Sequence, residues 1–195
     1  MGKIFYIMGK SASGKDSIYE KLKSQKSFRL EPLVLYTTRP IREGEKEGRE
    51  YFFVKEEKRQ ELIKAGKVIE SRSYDTVYGI WSYFTADEGQ IELEKNDYLG
   101  IGTLESYEKL KDYYGENVVC PIYIEVEDGE RLKRAIAREE AQQTPKYEEM
   151  CRRFLADAQD FSEANIEKAG ITRRFVNGDF AHCLQQIEEY IGGMR

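Results

Sequence analysis

The run Gly9-Lys10-Ser11-Ala12-Ser13-Gly14-Lys15-Asp16 follows a short apolar stretch, Ile4 to Met8, and leads into an amphipathic segment, Ser17 to Leu22. It matches G-x-x-x-x-G-K in the context that pattern needs, a buried strand before it and a helix after it. The reason is geometric. Glycines let successive backbone N–H groups turn inward on a phosphate, Lys15 reaches the β and γ oxygens, and the helix presents its positive N-terminus to the anion. The predicted cradle is therefore Gly9, Ser11, Ala12, Ser13, Gly14, Lys15, Asp16 and Ser17. One position departs from the pattern: the Ser or Thr expected after the lysine, whose hydroxyl holds magnesium, is Asp16. A carboxylate is a good oxygen ligand for a hard cation, so Asp16 is the expected metal ligand.

At 195 residues the chain has material for one substantial core and is short for two independent domains. Its formal net charge of −5, with basic residues dispersed among acids, argues against a nucleic-acid partner. Positive charge must act locally, on small anionic molecules. Cys120, Cys151 and Cys183 are too few and too scattered for a disulfide framework or a zinc site, and read as reduced thiols of a cytoplasmic chain. The opening apolar stretch is far too short for a signal segment or a membrane span, and Tyr6 stands where a myristoylation motif needs Ser or Thr. No membrane partner is expected, and the assembly is expected to be a monomer or homodimer.

Beyond the first strand and helix, Leu33 to Tyr36, Tyr98 to Ile101, Val118 to Val126 and Arg174 to Val176 read as strands. Helical patterns cover Asp16 to Gln25, Thr103 to Tyr114, Asp128 to Glu140, Tyr147 to Phe161 and Phe180 to Tyr190. This alternation predicts an α/β fold around a parallel sheet. Residues 37–83 behave differently: aromatic, alternating segments (Tyr51 to Val54, Val68 to Tyr74, Val77 to Tyr83) surround one short helix, Glu56 to Ala65. They predict a small, mostly antiparallel insertion between core segments 1–36 and 84–195. The polar segment Arg138 to Lys146 lacks core periodicity and reads as part of a mobile lid.

The insertion opens with Thr37-Thr38-Arg39-Pro40-Ile41-Arg42-Glu43-Gly44-Glu45 and continues Gly48-Arg49-Glu50-Tyr51-Phe52-Phe53. Two arginines three residues apart, with a glutamate three beyond the second, suit a clamp on a dianionic phosphate in which the carboxylate orients one guanidinium. Tyr51 adds a neutral hydroxyl donor. The whole stretch, T-T-R-x-x-R-x-G-E-x-x-G-x-x-Y-x-F, resembles the nucleotide monophosphate-binding segment of the guanylate kinase family. That resemblance implies a phosphate-loop NTPase fold with a five-stranded parallel sheet flanked by helices, an acceptor-binding insertion and a helical lid at about 134–155. It assigns Arg39, Arg42, Glu45 and Tyr51 to the acceptor phosphate.

Val68-Ile69-Glu70 followed by Tyr78-Gly79 is similar to two further elements of the family, with one residue fewer between them. A carboxylate accepts from guanine N1–H and its 2-amino group together, which makes Glu70 the expected guanine reader and Tyr78 a second phosphate donor. Arg138 and Arg153 look like the family's lid arginines, which act on the transferring phosphoryl as fingers in cis. Arg134 and Asn177 look like residues on the ATP side. Asp179 reads equally well as a helix N-cap. Five positions depart from the family: Asp16, Leu35 and Ile80 replace hydroxyl residues, and Gly100 and Gly102 replace aspartates.

The implied activity is ATP-dependent phosphorylation of GMP to GDP, with ATP and Mg2+ as cofactors. Two other readings stay open. The Gly-Lys-Asp-Ser ending of the loop also occurs in related kinases of ribose 1,5-bisphosphate. A non-catalytic guanylate-kinase-like binding module is the third reading, and such modules characteristically lack the intact phosphate loop present here.

Overall fold

The computed structural model describes residues 1–76 and 78–195. A fully apolar strand needs cover on both faces, and β1 (Ile4–Met8) has it, with all five side chains buried at the centre of a sheet. The phosphate loop leads to α1 (Lys15–Ser24) and then β2 (Leu30–Pro32). A second sheet begins with β3 (Tyr36–Thr37) and β4 (Phe52–Phe53), continues past α2 (Glu56–Lys64), and ends in the hairpin β5 (Val68–Thr76) and β6 (Gly79–Ala86). The chain then alternates through β7 (Asp97–Gly102), α3 (Leu104–Tyr114), β8 (Val119–Glu125), α4 (Asp128–Glu140), α5 (Tyr147–Asp160), α6 (Glu163–Lys168), β9 (Arg174–Val176) and α7 (Phe180–Met194).

Strands β2-β7-β1-β8-β9 form one five-stranded parallel sheet in that order. Alternate residues of β1 feed two cores. Ile4, Tyr6 and Met8 pack with Leu104, Tyr107 and Leu110 of α3, while Phe5 and Ile7 pack with Ile18 and Leu22 of α1 and Ile187 and Ile191 of α7. The loop leaving β1 thus opens at the carboxyl ends of the strands, where open α/β sheets bind ligands. The smaller sheet runs β4-β3-β6-β5, antiparallel at β3/β6 and β5/β6 and parallel at β3/β4, over its own cluster of Tyr36, Leu62, Phe84 and Ala86.

The expected strand Leu33 to Tyr36 divides between the two sheets. The core strand is earlier, at Leu30–Pro32. Leu33 still donates its N–H to Leu99 O, but the Tyr36 ring goes to Phe52 and Phe84 of the other sheet, so one apolar run serves two hydrophobic surfaces. Helix α6 escaped prediction because six residues with one buried side chain, Ile166, show no periodicity. Helix α7 runs past Tyr190 to Met194, and Arg138 to Glu140 belong to α4, which leaves 141–146 as the polar connection. Val77, the expected start of a strand, lies outside the described residues. Asp179 caps α7, accepting from the His182 N–H at 2.8 Å.

One ring accounts for both glycines of β7. A Cβ on Gly100 would lie 2.6 Å from Cδ2 of Tyr6, and a Cβ on Gly102 would fall against the Tyr6 hydroxyl. Tyr6 therefore takes the space in which aspartates at these positions would stand. Gly102→Asp should destabilise the fold by about 1–3 kcal/mol through overpacking. In a double-mutant cycle monitored by urea unfolding, Tyr6→Ala/Gly102→Asp should be less destabilised than the sum of the single changes. Additive costs would show that the two sites do not share the space.

Candidate active site

The cradle is held in shape by groups from three other elements. Ala12 (φ 63°) and Gly14 (φ 84°) are both left-handed. For Ala12 that is a strained conformation of the kind that persists only where the surroundings enforce it. From the end of β9, Asn177 Nδ2 donates to Ser13 O at 2.8 Å, and a Cβ on Gly14 would strike that amide. Gly9 has no room for one either, since it would lie 2.5 Å from Ile124 O. From α5, Asp157 Oδ2 accepts the Ser11 N–H at 2.7 Å. Arg131 of α4, only 1% exposed, reaches Asp157 at 3.3 Å and Ser11 O at 3.4 Å through Nη1 and donates from Nε to Asp128 at 3.1 Å. Its guanidinium lies 3.8 Å from the centroid of the Phe154 ring.

Arg131, Asp157 and Asp128 were not picked out from the sequence. The i,i+3 spacing of Asp128 and Arg131 on a predicted helix was a visible signal for a pair, but nothing in the sequence marked its burial or its reach to the loop. Lys15 lies with Nζ 3.6 Å from Asp16 Oδ2, and Asp16 is 80% exposed in the first turn of α1, where a carboxylate suits the helix dipole. The Ser13 hydroxyl is buried without a hydrogen-bond partner among the described residues, and Ser17 is exposed. Arg134 donates to Glu130 at 3.1 Å and to Asn177 O at 3.1 Å. Arg138 and Arg153 stand exposed on α4 and α5, Arg153 3.7 Å from Glu149. Among the described residues no three acidic, histidine or cysteine side chains group as a metal site. A single carboxylate, Asp16, fits a magnesium ion, which keeps several waters and takes phosphate oxygens as ligands.

On the smaller sheet, Arg39 is 4% exposed and forked onto Glu45, with Nη1 to Oε2 at 2.9 Å and Nη2 to Oε1 at 2.7 Å. The rings of Tyr51 and Phe53 each lie 5.5 Å from its guanidinium. Its backbone N–H is fixed by the Thr37 hydroxyl, which in turn donates to Ser82 O. Glu45 also accepts the Arg42 N–H at 2.7 Å. The bond to Arg39, with that from Arg42 and both positive charges, holds the Glu45 carboxyl down at about 2. Arg39, Glu45 and Tyr51 are thus one unit, with the exposed Arg42 side chain at its edge.

Glu70 enters where the β5/β6 register shifts between Val68 and Glu70, the kind of irregularity that re-aims a side chain. It is buried, accepts from the Thr85 hydroxyl at 3.0 Å, and has Arg72 Nε 3.3 Å from its other oxygen. Burial, with Glu70 adding and Arg72 opposing, raises the pKa of the buried Tyr6 hydroxyl well above the ordinary tyrosine value. Tyr78 is not brought to this group: it is 81% exposed at the hairpin turn, stacked on Trp81. Ile80 is likewise exposed, paired with Asp75, whereas Glu70 pairs with Thr85. The two positions are five residue steps apart, about 17 Å along the strand.

A braced phosphate loop at the carboxyl end of a parallel sheet, with an arginine clamp on an inserted sheet, defines a phosphate-loop nucleotide-binding protein of the kinase type. A family model described as guanylate kinase matches residues 1–192, and the chain belongs to the guanylate kinase family. It is similar to the guanylate kinase of Porphyromonas gingivalis (strain ATCC BAA-308 / W83), 27% identical over 194 residues, 98% of this chain and 97% of that one. It also resembles the guanylate kinase of Wolbachia pipientis wMel, 42% identical over 80 residues, covering 40% of this chain and 39% of that one. The crystal structure of guanylate kinase from Anaplasma phagocytophilum shares the fold, with a TM-score of 0.63 and 21% identity over 98% of this chain and 85% of that one. Among the described residues, no helix is long and apolar enough to cross a membrane.

The Arg39–Glu45 fork gives a pH signature. Because the folded pKa of Glu45 is depressed from its ordinary 4.5 to about 2, its contribution is complete above about pH 5 and is lost as pH falls toward 2. The difference in urea midpoint between the native chain and Glu45→Gln should be constant from about pH 5 to 8 and shrink below about pH 4. A difference that persists unchanged at pH 3 would show that the pair does not act through charge.

Proposed function

We propose that the protein transfers the γ-phosphoryl group of ATP to the phosphate of GMP, giving ADP and GDP. The observation that carries this reading is the pairing of two anion sites in one fold: a cradle whose N–H groups and Lys15 suit a triphosphate, and the Arg39–Glu45–Tyr51 unit with the buried carboxylate Glu70 on the inserted sheet. In phosphoryl transfer the protein supplies position and charge while one P–O bond breaks and another forms. Lys15 supplies charge at the β and γ oxygens. Arg39, Arg42 and Tyr51 hold the acceptor phosphate, and the exposed Arg138 and Arg153 are free to turn onto the transferring group as the lid closes. Arg134 and Asn177, joined by a hydrogen bond, close the ATP side. Magnesium, when bound, neutralises phosphate charge, with Asp16 as its protein ligand.

A second reading, a kinase for a sugar phosphate without a base such as ribose 1,5-bisphosphate, has one observation in its favour: Tyr78 and Ile80, which the family resemblance places at the acceptor, stand apart from Glu70. ADP release with ATP and magnesium, measured against GMP, dGMP, AMP, UMP and ribose 1,5-bisphosphate, decides between the two. GMP should be the best acceptor, and Lys15→Ala should abolish turnover without changing the melting temperature. Turnover of the sugar bisphosphate alone would replace the first reading by the second.

Asp16 generates a separate expectation. Its added negative charge beside the triphosphate is offset by a bound cation, so Asp16→Ala should need several-fold more magnesium for half-maximal rate, while Asp16→Ser should shift the requirement less. Superimposable magnesium titrations of all three proteins would reduce Asp16 to a helix N-terminal residue.

A further inference from the structure

Arg72 has no role in the reaction as described, yet it stands beside Glu70. Two residues further along β5, it leaves the same face of the strand. Its Nε is 3.3 Å from Glu70 Oε2, but the N–H is not aligned on that oxygen. The nitrogen is buried and has no acceptor among the described residues. A buried donor without an acceptor calls for an explanation, and strands next to a site commonly supply one. On the far side of the carboxylate, Thr85 donates to Oε1 at 3.0 Å. An ionised carboxylate accepts about four hydrogen bonds, so each Glu70 oxygen retains capacity for a further donor. The carboxylate is fixed in place, and its acceptor capacity is not filled.

The order of groups along this edge is then acceptor, acceptor, donor: Glu70 Oε1, Glu70 Oε2 and the unpaired N–H of Arg72. Guanine presents the complement along one edge, with its 2-amino donor, its N1–H donor and its O6 acceptor. Adenine opposes it twice, placing an unprotonated N1 toward the carboxylate and an amino group toward the guanidinium.

We propose that Arg72 reads guanine O6 and that Glu70 and Arg72 together select the acceptor base, taking over from a hydroxyl at position 80; this rests on the reading of GMP as acceptor. Ile80, exposed at the other end of the hairpin, then has no part in base choice. The buried Tyr6 hydroxyl of β1 lies within the field of both residues.

The test compares kcat/KM for GMP, IMP, AMP and 2-aminopurine riboside 5′-monophosphate in the native chain, Arg72→Ala and Arg72→Gln. Calorimetric binding replaces kinetics where turnover is too slow to follow. GMP and IMP carry O6, whereas the other two nucleotides do not. Arg72→Ala should lower kcat/KM for GMP and IMP on the order of tenfold or more, through KM for the acceptor, with KM for ATP unchanged. The 2-aminopurine nucleotide should be unaffected and AMP unaffected or improved, and Arg72→Gln, which keeps an amide N–H, should recover part of the loss. Equal losses on all four nucleotides would overturn the proposal by making Arg72 a prop for the strand. A gain on GMP would overturn it by making Arg72 a competitor for Glu70. A native preference for GMP that survives Arg72→Ala overturns this inference alone, while a native chain that does not prefer GMP to AMP overturns the acceptor reading and this inference with it.

Discussion

The phosphate loop can present its N–H groups to an anion only if its backbone is held in a shape it would not keep alone, and much of the molecule is arranged to meet that constraint. Ala12 is left-handed although it carries a Cβ, which costs roughly 1–2 kcal/mol. The cost is offset by hydrogen bonds from outside: Asn177 on Ser13 O, Asp157 on the Ser11 N–H, and Arg131 on Ser11 O. These partners come from β9, α5 and α4, which are far from the loop in sequence. The parallel sheet brings β9 to β8 and β8 to β1, so its register carries Asn177 to within reach. The loop's shape is therefore a property of the whole C-terminal half.

Arg131 and Asp157 also join the loop to the helices that bear Arg138 and Arg153. Breaking a buried, paired arginine is strongly unfavourable because it leaves an uncompensated charge behind, whereas exposed Arg153 makes a helix-surface contact with Glu149 that is worth little. The same division recurs at the insertion, where Arg39 is locked onto Glu45 and Arg42 is exposed. Among the described residues the two buried guanidiniums, Arg39 and Arg131, are each matched by a carboxylate, whereas Arg42 and Arg138 stand exposed.

The loop and the clamp were legible because their chemistry is local. Gly9 to Asp16 and Thr37 to Phe53 each need particular residues at fixed spacing, and a sequence displays spacing directly. The strands and helices of the core were legible for a related reason: burial on one or both faces leaves a period. What could not be read depended on contacts across the fold. Leu33 to Tyr36 looks like one strand because an apolar run does not say which of two surfaces it covers. Arg131 looks like any helix arginine until α5 folds Phe154 and Asp157 over it. Tyr78 follows the family's spacing closely enough to suggest a site residue, yet the hairpin carries it to an exposed turn. Asn177 was assigned to the ATP side by resemblance, and what its amide does in the fold, holding the loop through Ser13 O, was not read.

The departures from the family at the acceptor end look in the sequence like separate losses. In three dimensions at least two of them are one rearrangement, because Tyr6 occupies the space that side chains at Gly100 and Gly102 would need, and its hydroxyl comes into the field of Glu70 and Arg72. A ring that large cannot be admitted one position at a time: either glycine replaced alone would meet it. The loop end shows one exchange, of an oxygen-bearing side chain for another at Asp16. This asymmetry follows from the chemistry. Charge at a transferring phosphoryl group must be placed in one way for every acceptor, so the cradle is constrained by the reaction itself. A base edge can be matched by any groups that supply the right order of donors and acceptors, so the residues that read it are free to change together.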